Sequence, residues 1–430
     1  MDINYYRLPA PAEPAPRDAT ALSDILALDG PRQDAFTAFT FVPFCHKRCA
    51  SCAYYKGPAP SPAQRGMLIQ RYARCVAANF AWMGSHRRFK GATCCAFYFG
   101  GGTASLLAPG DVGFILEEAS SQFSLDPTAE ITLEGNPLDY HPTYLADIVA
   151  TGVNRLSIGV QSFSDGTLAM AGTTHRAKDS HNAASAASRA GFRSFNIDLM
   201  YGLPGQELSQ WQSDVATAVE YDPQSISTFK YKIHPGSLAE WQLIEGRARP
   251  QPAGADLFNW YRWTRDLLLS RGYQEGRKGA FHRPGFRQRY NRLTYAAGYE
   301  LIGLGAGAYG FVNGRVWVGP ESADAYMERA ERGEFPVVDN VSPKATRPQV
   351  LMRSLVGAFM APELDRGWFK DRFSVDPVDA FPEVFADLEF RHWVNVSPDR
   401  LQVTELGLFQ QEQILAVLHN SVFGRTMESV

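Results

Sequence analysis

The segment FVPFCHKRCASCAYYKGP, residues 41–58, contains half of the six cysteines in this chain of 430 residues. Cys45, Cys49 and Cys52 follow the spacing C-x3-C-x2-C, and no fourth cysteine lies nearby. A structural zinc site takes four ligands, usually as two separated pairs, and no second pair follows here. A 4Fe-4S cluster normally takes four cysteines, so three would leave one iron open to a substrate or cofactor. The spacing favours such a cluster; a buried cysteine loop or an incomplete zinc knuckle is the alternative.

The composition is that of an ordinary soluble globular protein, with 45% hydrophobic and 20% charged residues. A net charge of −3 gives no general attraction for nucleic acid. No apolar run approaches the ~18 residues that a membrane span needs. Residues 1–36 lack a signal-peptide pattern and are interpreted as a flexible Pro/Ala-rich leader. These features predict a cytoplasmic protein with no membrane or nucleic-acid partner.

Short apolar runs predict six strands, and segments with helical periodicity separate them. The predicted strands are 38–44, 94–103, 129–137, 155–163, 195–204 and 225–233. Strands that alternate with helices indicate right-handed βαβ units and a parallel sheet. We therefore expect an α/β fold, a partial (β/α)6 barrel over residues 37–240. Residues 241–340 are expected to extend and cover the barrel, and 341–430 to form a helical domain with a small winged element.

The carboxyl ends of the predicted strands are polar or rich in glycine. They read GGGT, EGNP, VQSF and DLMYGLP in chain order. Active sites of parallel α/β folds lie at this edge of the sheet. Because the cysteine loop follows the first strand, we expect it to share that edge with these polar groups.

This order of motifs resembles the radical S-adenosylmethionine (SAM) superfamily. It is most similar to the branch of oxygen-independent coproporphyrinogen III dehydrogenase, which the segments NIDLMYGLPGQ and GLGAGAYGF also resemble. The resemblance implies that Cys45, Cys49 and Cys52 hold a 4Fe-4S cluster whose open iron binds SAM. It further implies cleavage of SAM to a 5′-deoxyadenosyl radical, with an electron from a donor such as flavodoxin or ferredoxin.

The same resemblance implies which residues bind SAM. Gly101 and Glu134 match positions for the first SAM. The positions that match a second SAM site, or its further lining, are Gly102, Thr103, Gln161, Asp198, Lys232 and Tyr309. Each has a plain structural alternative. GGGT could be a turn alone, and Gln161 and Asp198 could be strand-end polar groups with satisfied hydrogen bonds. Lys232 and Tyr309 could have only a structural role.

Departures from the family pattern bear on the reaction. Porphyrinogen-oxidising members carry Tyr-x-His where this chain has Phe39 and Phe41, and their loop ends in Cys-x-Cys, whereas Ala53 and Tyr54 follow Cys52 here. These differences favour a class C type of radical SAM enzyme. Such an enzyme methylates or cyclopropanates an sp2 carbon of a planar, conjugated substrate and uses a second SAM. The alternatives are tetrapyrrole chemistry, either coproporphyrinogen III decarboxylation or haem degradation of the anaerobilin synthase kind, and a non-catalytic haem chaperone.

Overall fold

The computed structural model describes residues 13–14, 19–47, 49, 52, 61–233, 237–246 and 249–423. Part of the predicted leader, part of the cysteine loop with Ala53 and Tyr54, and the last seven residues lie outside that description. The strands are β1 Glu13–Pro14, β2 Ala35–Val42, β3 Thr93–Gly101, β4 Ser124–Gly135, β5 Arg155–Gln161, β6 Ser194–Tyr201, β7 Ser225–Lys230, β8 Gln274–Arg277, β9 Ala280–His282, β10 Glu300–Leu304, β11 Tyr309–Val312, β12 Arg315–Val318, β13 Asn340–Val341, β14 Glu363–Asp365, β15 Val394–Val396 and β16 Arg400–Val403.

Helices follow most of the strands. They are α1 Ala19–Leu26, α2 Pro62–Ser85, α3 Pro109–Ser120, α4 Pro142–Ala150, α5 Asp165–Ala171, α6 Ala177–Ala187, α7 Leu208–Glu220, α8 Leu238–Ile244, α9 Gly254–Ser270, α10 Arg289–Asn291, α11 Ala323–Glu331, α12 Arg347–Ala358, α13 Arg366–Phe373, α14 Pro377–Ala380, α15 Pro382–Phe390, α16 Glu405–Phe409 and α17 Gln411–Phe423. A π-helix, Arg292–Ala296, continues α10. Within the described ranges, no helix has the length and apolar character required to cross a membrane.

The six predicted strands form the centre of one sheet. Strands β2 to β7 lie side by side in chain order, and every neighbouring pair among them is parallel. The sheet is open, since its order runs from β1 at one edge to β8 at the other. The structure therefore confirms the predicted α/β fold with a partial barrel of parallel strands.

Strand β3 shows why these segments fold as they do. Phe97 and Phe99 belong to the large core, where Phe97 packs on Phe80 of α2 with ring centroids 5.1 Å apart. Tyr98 points to the opposite face and bonds Glu134. Residues alternate between the two faces of a strand, so one face packs on helices and the other lines the interior of the barrel.

A seventh parallel strand was not predicted. Strand β10, Glu300–Leu304, pairs parallel with β2 on the side away from β3. The antiparallel strands β11, β12 and β13 continue the sheet on that edge, and β9 and β8 continue it beyond β7. Apolar periodicity marks a short run as a strand but not its neighbour in the sheet, so this addition was not visible in the sequence.

The interpretation of residues 1–36 as a flexible leader is wrong for the part that the structure describes. Helix α1 places Leu22 and Leu26 in the core, and the backbone amide of Arg88 donates to the Leu28 carbonyl oxygen over 2.7 Å. The first strand also begins at Ala35. Helix α1 is short, and the proline-rich segment before it led to the prediction of a flexible leader instead of a helix.

The carboxyl-terminal region is mainly helical, as predicted. It carries a three-stranded antiparallel sheet, in the order β14-β16-β15, at the place of the expected winged element. Leu355 of α12 and Leu418 of α17 belong to the same continuous core as the barrel. The proposed domain boundaries near residues 240 and 340 stay predictions.

Candidate functional site

The glycine-rich loop after β3 is paired with the chain that leads to the cysteines. The amide of Gly102 donates to the Val42 carbonyl oxygen over 2.8 Å, and the amide of Thr103 donates to that of Phe44 over 2.8 Å. These bonds extend the pairing of β2 and β3 beyond their ends. The loop and Cys45 therefore share the carboxyl edge of the sheet, as expected.

Two glycines of this loop are so closely packed that a side chain would not fit. Gly101 has φ +110°, a backbone conformation that favours glycine, and a methyl group there would lie 2.9 Å from the Phe41 ring. A methyl group on Gly102 would lie 2.6 Å from the Phe44 carbonyl oxygen and 2.9 Å from Cys45 Sγ. The structure thus gives Gly102 a direct role in seating Cys45.

The three cysteines of the loop influence one another electrostatically. Burial raises the pKa of the Cys45 thiol, while a hydrogen bond with the Thr103 side chain opposes this. Burial, and then the charges of Cys52 and Cys45, raise the pKa of Cys49 to about 11. Such thiols are protonated at neutral pH and release their protons when they bind a metal.

This donor set fits a 4Fe-4S cluster with one open iron. Three thiols lie close enough to interact, and the absence of a side chain on Gly102 lets Cys45 pack against the glycine loop. Across the described ranges, no three His, Cys, Asp or Glu side chains already have the arrangement of metal ligands. The cluster ligands named from the sequence therefore stay a prediction that the chemistry of the site supports.

His46 braces the loop and is not placed as a metal ligand. Its Nε2 lies 2.9 Å from Asp139 Oδ1, and the hydroxyl of Ser105 donates to Asp139 Oδ2 over 2.6 Å. The amide of Asn136 in turn donates to the Ser105 hydroxyl over 3.0 Å. The segment after β4 is thereby tied to the first cysteine, a contact that the sequence did not indicate.

Glu134 and Asp198 lie close together inside the barrel near the same edge. Tyr98 Oη donates to Glu134 Oε2 over 2.8 Å. Burial, followed by the charge of Asp198, raises the pKa of Glu134 to about 7. Burial also raises the pKa of Asp198, against hydrogen bonds from Asn196 and Ser157. The structure brings these two predicted SAM ligands together, and a sulfonium cation would suit such a carboxylate pair.

Gln161, at the end of β5, has an unusual conformation and an unsatisfied side chain. Its φ is +63°, which is uncommon for a residue other than glycine. Its Oε1 is buried and has no hydrogen-bond partner among the described residues. A strained backbone and an orphaned acceptor at one residue are costly, and such features concentrate where a ligand binds.

The two remaining predicted residues have other contacts. Lys232 Nζ lies 2.9 Å from Glu412 Oε1 of α17. Tyr309 is 8% exposed and belongs to a buried cluster that includes Phe39 and Tyr98. Their contacts with SAM stay predictions, and the structure gives each of them a structural partner.

The barrel interior has an aromatic half and a polar half. Phe39 packs near Tyr98 and Tyr290, with centroids 6.0 Å and 6.2 Å away. On the other side, a hydrogen-bonded group links strands β5, β6 and β7; its members are Ser157, Asn196, Asp198 and Ser227. Sequence reasoning missed Tyr98, Ser157 and Asn196, although period-two alternation within β6 places Asn196 on the same face as Asp198.

Comparisons with known proteins agree with this fold. A profile of the radical SAM superfamily matches residues 39–217. The haem chaperone HemW of Escherichia coli is 31% identical over 281 residues, which cover 65% of this chain and 71% of HemW. HemW of Haemophilus influenzae is 28% identical over 325 residues, 74% of this chain and 81% of that one.

A solved structure has the same architecture. Coproporphyrinogen III oxidase (HemN) of E. coli superposes with a TM-score of 0.78, covers 98% of both chains and is 20% identical. This chain belongs to the radical SAM superfamily, in the branch that contains HemN and HemW. Membership implies a 4Fe-4S cluster and SAM as cofactors.

Proposed function

We propose that this protein is a radical SAM enzyme that acts on a tetrapyrrole of the haem type. The observation that carries the proposal is Gln161, whose strained backbone and orphaned Oε1 lie at the edge that also holds the predicted SAM carboxylates. A site that only held a cluster would have no need of an unsatisfied acceptor such as Gln161 Oε1. The expected ligand at Gln161 is a second SAM or the substrate itself.

Different residues of the chain would bind the cluster and SAM. Cys45, Cys49 and Cys52 would hold the cluster, and Gly101 would let the methionine part of SAM approach the backbone. Glu134, held by Tyr98, is available to accept a hydrogen bond from SAM. When bound and reduced, the cluster supplies the electron that cleaves SAM, and a flavodoxin or ferredoxin is the expected donor.

Two observations support a haem-type tetrapyrrole over coproporphyrinogen III. Relatives such as those of E. coli and H. influenzae are named haem chaperones. Phe39 and Phe41 occupy the positions of the family's Tyr-x-His, and Phe39 packs among aromatic rings. Phenyl groups can neither carry a proton nor bind a metal, so decarboxylation of a porphyrinogen is disfavoured. Radical methyl transfer to the tetrapyrrole, with a second SAM near Asp198, is the finer form of this proposal.

A haem chaperone without turnover is the second candidate. The names of the relatives favour it, and so do the closely packed rings of the aromatic half, where Tyr98 and Tyr290 lie 5.0 Å apart. Such a protein would bind haem on its surface and hand it over unchanged.

An anaerobic assay separates the two candidates. The reconstituted protein is incubated with dithionite, SAM and haem, and products are measured by mass spectrometry and haem absorbance. We expect 5′-deoxyadenosine to form together with loss of the haem spectrum, and S-adenosylhomocysteine to form as well if methyl transfer occurs. Stoichiometric haem binding with an unchanged spectrum and no SAM cleavage would instead establish the chaperone. Gln161→Leu should retain haem binding and lose turnover.

A further inference from the structure

A small cavity lies at the end of the barrel opposite the cysteines. It has a volume of about 70 Å³, and Arg155, Arg277, Arg287 and Arg292 are among the residues that line it. We call it the arginine cavity. Arg155 begins β5 and Gln161 ends it. At about 3.3 Å per residue, roughly 20 Å of strand separate Arg155 from Gln161. Asn196, which also lines the cavity, donates a hydrogen bond to Asp198, a predicted SAM ligand.

Arg155 is a buried cation with incomplete hydrogen bonding. It is 4% exposed, and its Nη2 makes a single long contact of 3.5 Å with the Ser225 hydroxyl. Its Nε and Nη1 are buried and have no hydrogen-bond partner within the described part of the chain. A buried guanidinium whose nitrogens have no protein acceptor costs free energy unless a ligand or water accepts from them.

A second buried arginine shows what a structural solution looks like. Arg353 also has unpartnered nitrogens, but its guanidinium lies 4.2 Å from the centre of the Phe311 ring and 5.5 Å from that of Tyr295. The ring faces stabilise its charge. No such ring contact is found for Arg155 in the described residues. The carboxylates of Glu134 and Asp198 interact with its charge, but its Nε and Nη1 still lack a hydrogen-bond acceptor, which a ligand in the cavity would supply.

The walls of the cavity are strongly cationic. No aspartate or glutamate is among its described lining residues. Burial, and then the charge of Arg292, lower the pKa of Arg287, which indicates that the two guanidinium groups crowd each other. Arg292 is exposed at the surface, so the cavity can be reached from solvent.

Neutral donors and one histidine complete the lining. The Asn291 amide donates to Gln288 Oε1 over 2.7 Å, and both residues border the cavity. His282 Nδ1 lies 2.9 Å from the Arg283 carbonyl oxygen, which fixes the ring beside Gly276. A methyl group on Gly276 would lie 2.9 Å from His282 Nε2, so the wall is closely fitted.

We propose that the arginine cavity binds a phosphate group. Several guanidinium groups around one small space favour a ligand with more than one negative charge, and a phosphate dianion is such a ligand. A volume of about 70 Å³ gives a phosphate group room among the guanidinium groups. The source is either free inorganic phosphate or the phosphate of a larger molecule whose remainder stays outside.

The test is calorimetric titration of the full chain at constant ionic strength with inorganic phosphate, and separately with AMP. We expect saturable binding of one phosphate group per chain. Arg155→Met and Arg292→Gln should each weaken it roughly tenfold to a hundredfold, the effect of losing a charged hydrogen bond. Arg292 is exposed, so its variant tests the site even if Arg155→Met folds poorly.

Arg283→Met is the matched control, since Arg283 neighbours the cavity but pairs with Asp222 at 2.6 Å. It should leave phosphate binding unchanged. Tighter binding of inorganic phosphate than of AMP would identify the free ion, and the reverse would identify a larger phosphate ester. Absence of saturable binding, or binding that Arg155→Met and Arg292→Gln leave unaltered, would overturn the proposal without touching the proposed function.

Discussion

The two ends of the barrel carry opposite chemistry. The carboxyl end gathers thiols, glycines and the carboxylates Glu134 and Asp198, all suited to iron and to a sulfonium cation. The amino end gathers guanidinium groups around Arg155. In folds of this kind the carboxyl end usually holds the reaction and the amino end serves stability. The orphaned nitrogens of Arg155 are the basis of our proposal that the amino end of this barrel also binds a ligand.

A polar group inside the barrel connects the two ends. Asn196 borders the arginine cavity, and its amide donates to Asp198 Oδ1 over 2.7 Å. The charge of Arg155 lowers the pKa of Asp198 and of Glu134, against the larger effect of burial. The two ends of the barrel are therefore expected to bind different ligands, but their charged groups interact through the barrel interior.

The largest effect should come from removing a thiol at the carboxyl end. Cys49→Ala should abolish cluster assembly, because two remaining cysteines cannot hold a 4Fe-4S cluster. Iron and sulfide content and the cluster absorbance after reconstitution measure this. Cys95→Ala is the control: Cys95 is buried in β3, away from the loop, and should leave iron content unchanged. Equal iron content in both variants would contradict a cluster bound by Cys49 at the carboxyl end.

The next effect concerns the seat of Cys45. Gly102→Ala should lower the free energy of unfolding by about 1–3 kcal/mol, the usual cost of overpacking, and reduce cluster occupancy. The reason is the 2.6 Å approach to the Phe44 carbonyl oxygen. Gly110→Ala, in α3 with open space around it, should be neutral or slightly stabilising. Denaturant unfolding compares the two, and an equal response would mean that the glycine loop is not tightly fitted.

Glu134 should make stability depend on pH. Its pKa is raised from 4.5 to about 7, so the folded chain retains a proton that the unfolded chain loses in this window. The folded state therefore loses stability as pH rises from 4.5 to 7, and the loss is then complete. Relative to wild type, Glu134→Gln should gain about 3 kcal/mol across that window. A difference in unfolding free energy that does not change with pH would contradict the buried carboxylate pair.

The smallest effect is expected at Lys232. Its partner Glu412 has 54% of its side chain exposed, and such ion pairs contribute about 0–1 kcal/mol. Glu412→Gln should therefore hardly change the thermal midpoint. If SAM affinity rises in this variant, Lys232 has been released to the carboxyl end, and the predicted role in SAM binding gains support. A fall in SAM affinity would count against that role.

The sequence was most informative where the spacing of residues determines the position of a strand or of its end. Alternating apolar runs predicted strands β2 to β7, and the polar strand ends predicted that Glu134, Asp198 and the glycine loop share one edge. It could not predict β10 beside β2, because pairing depends on the whole sheet. It also missed Arg155 as a ligand candidate, since a lone arginine at a strand start has no local pattern, and its meaning appears only once burial and missing partners are known.

The most direct test of the central claim is the electron paramagnetic resonance spectrum of the reduced, reconstituted protein before and after SAM is added. The account predicts that SAM changes the cluster signal in the wild type and equally in Arg292→Gln, because the open iron lies at the carboxyl end and the phosphate site at the other. A cluster signal that SAM leaves unchanged in the wild type would contradict the account.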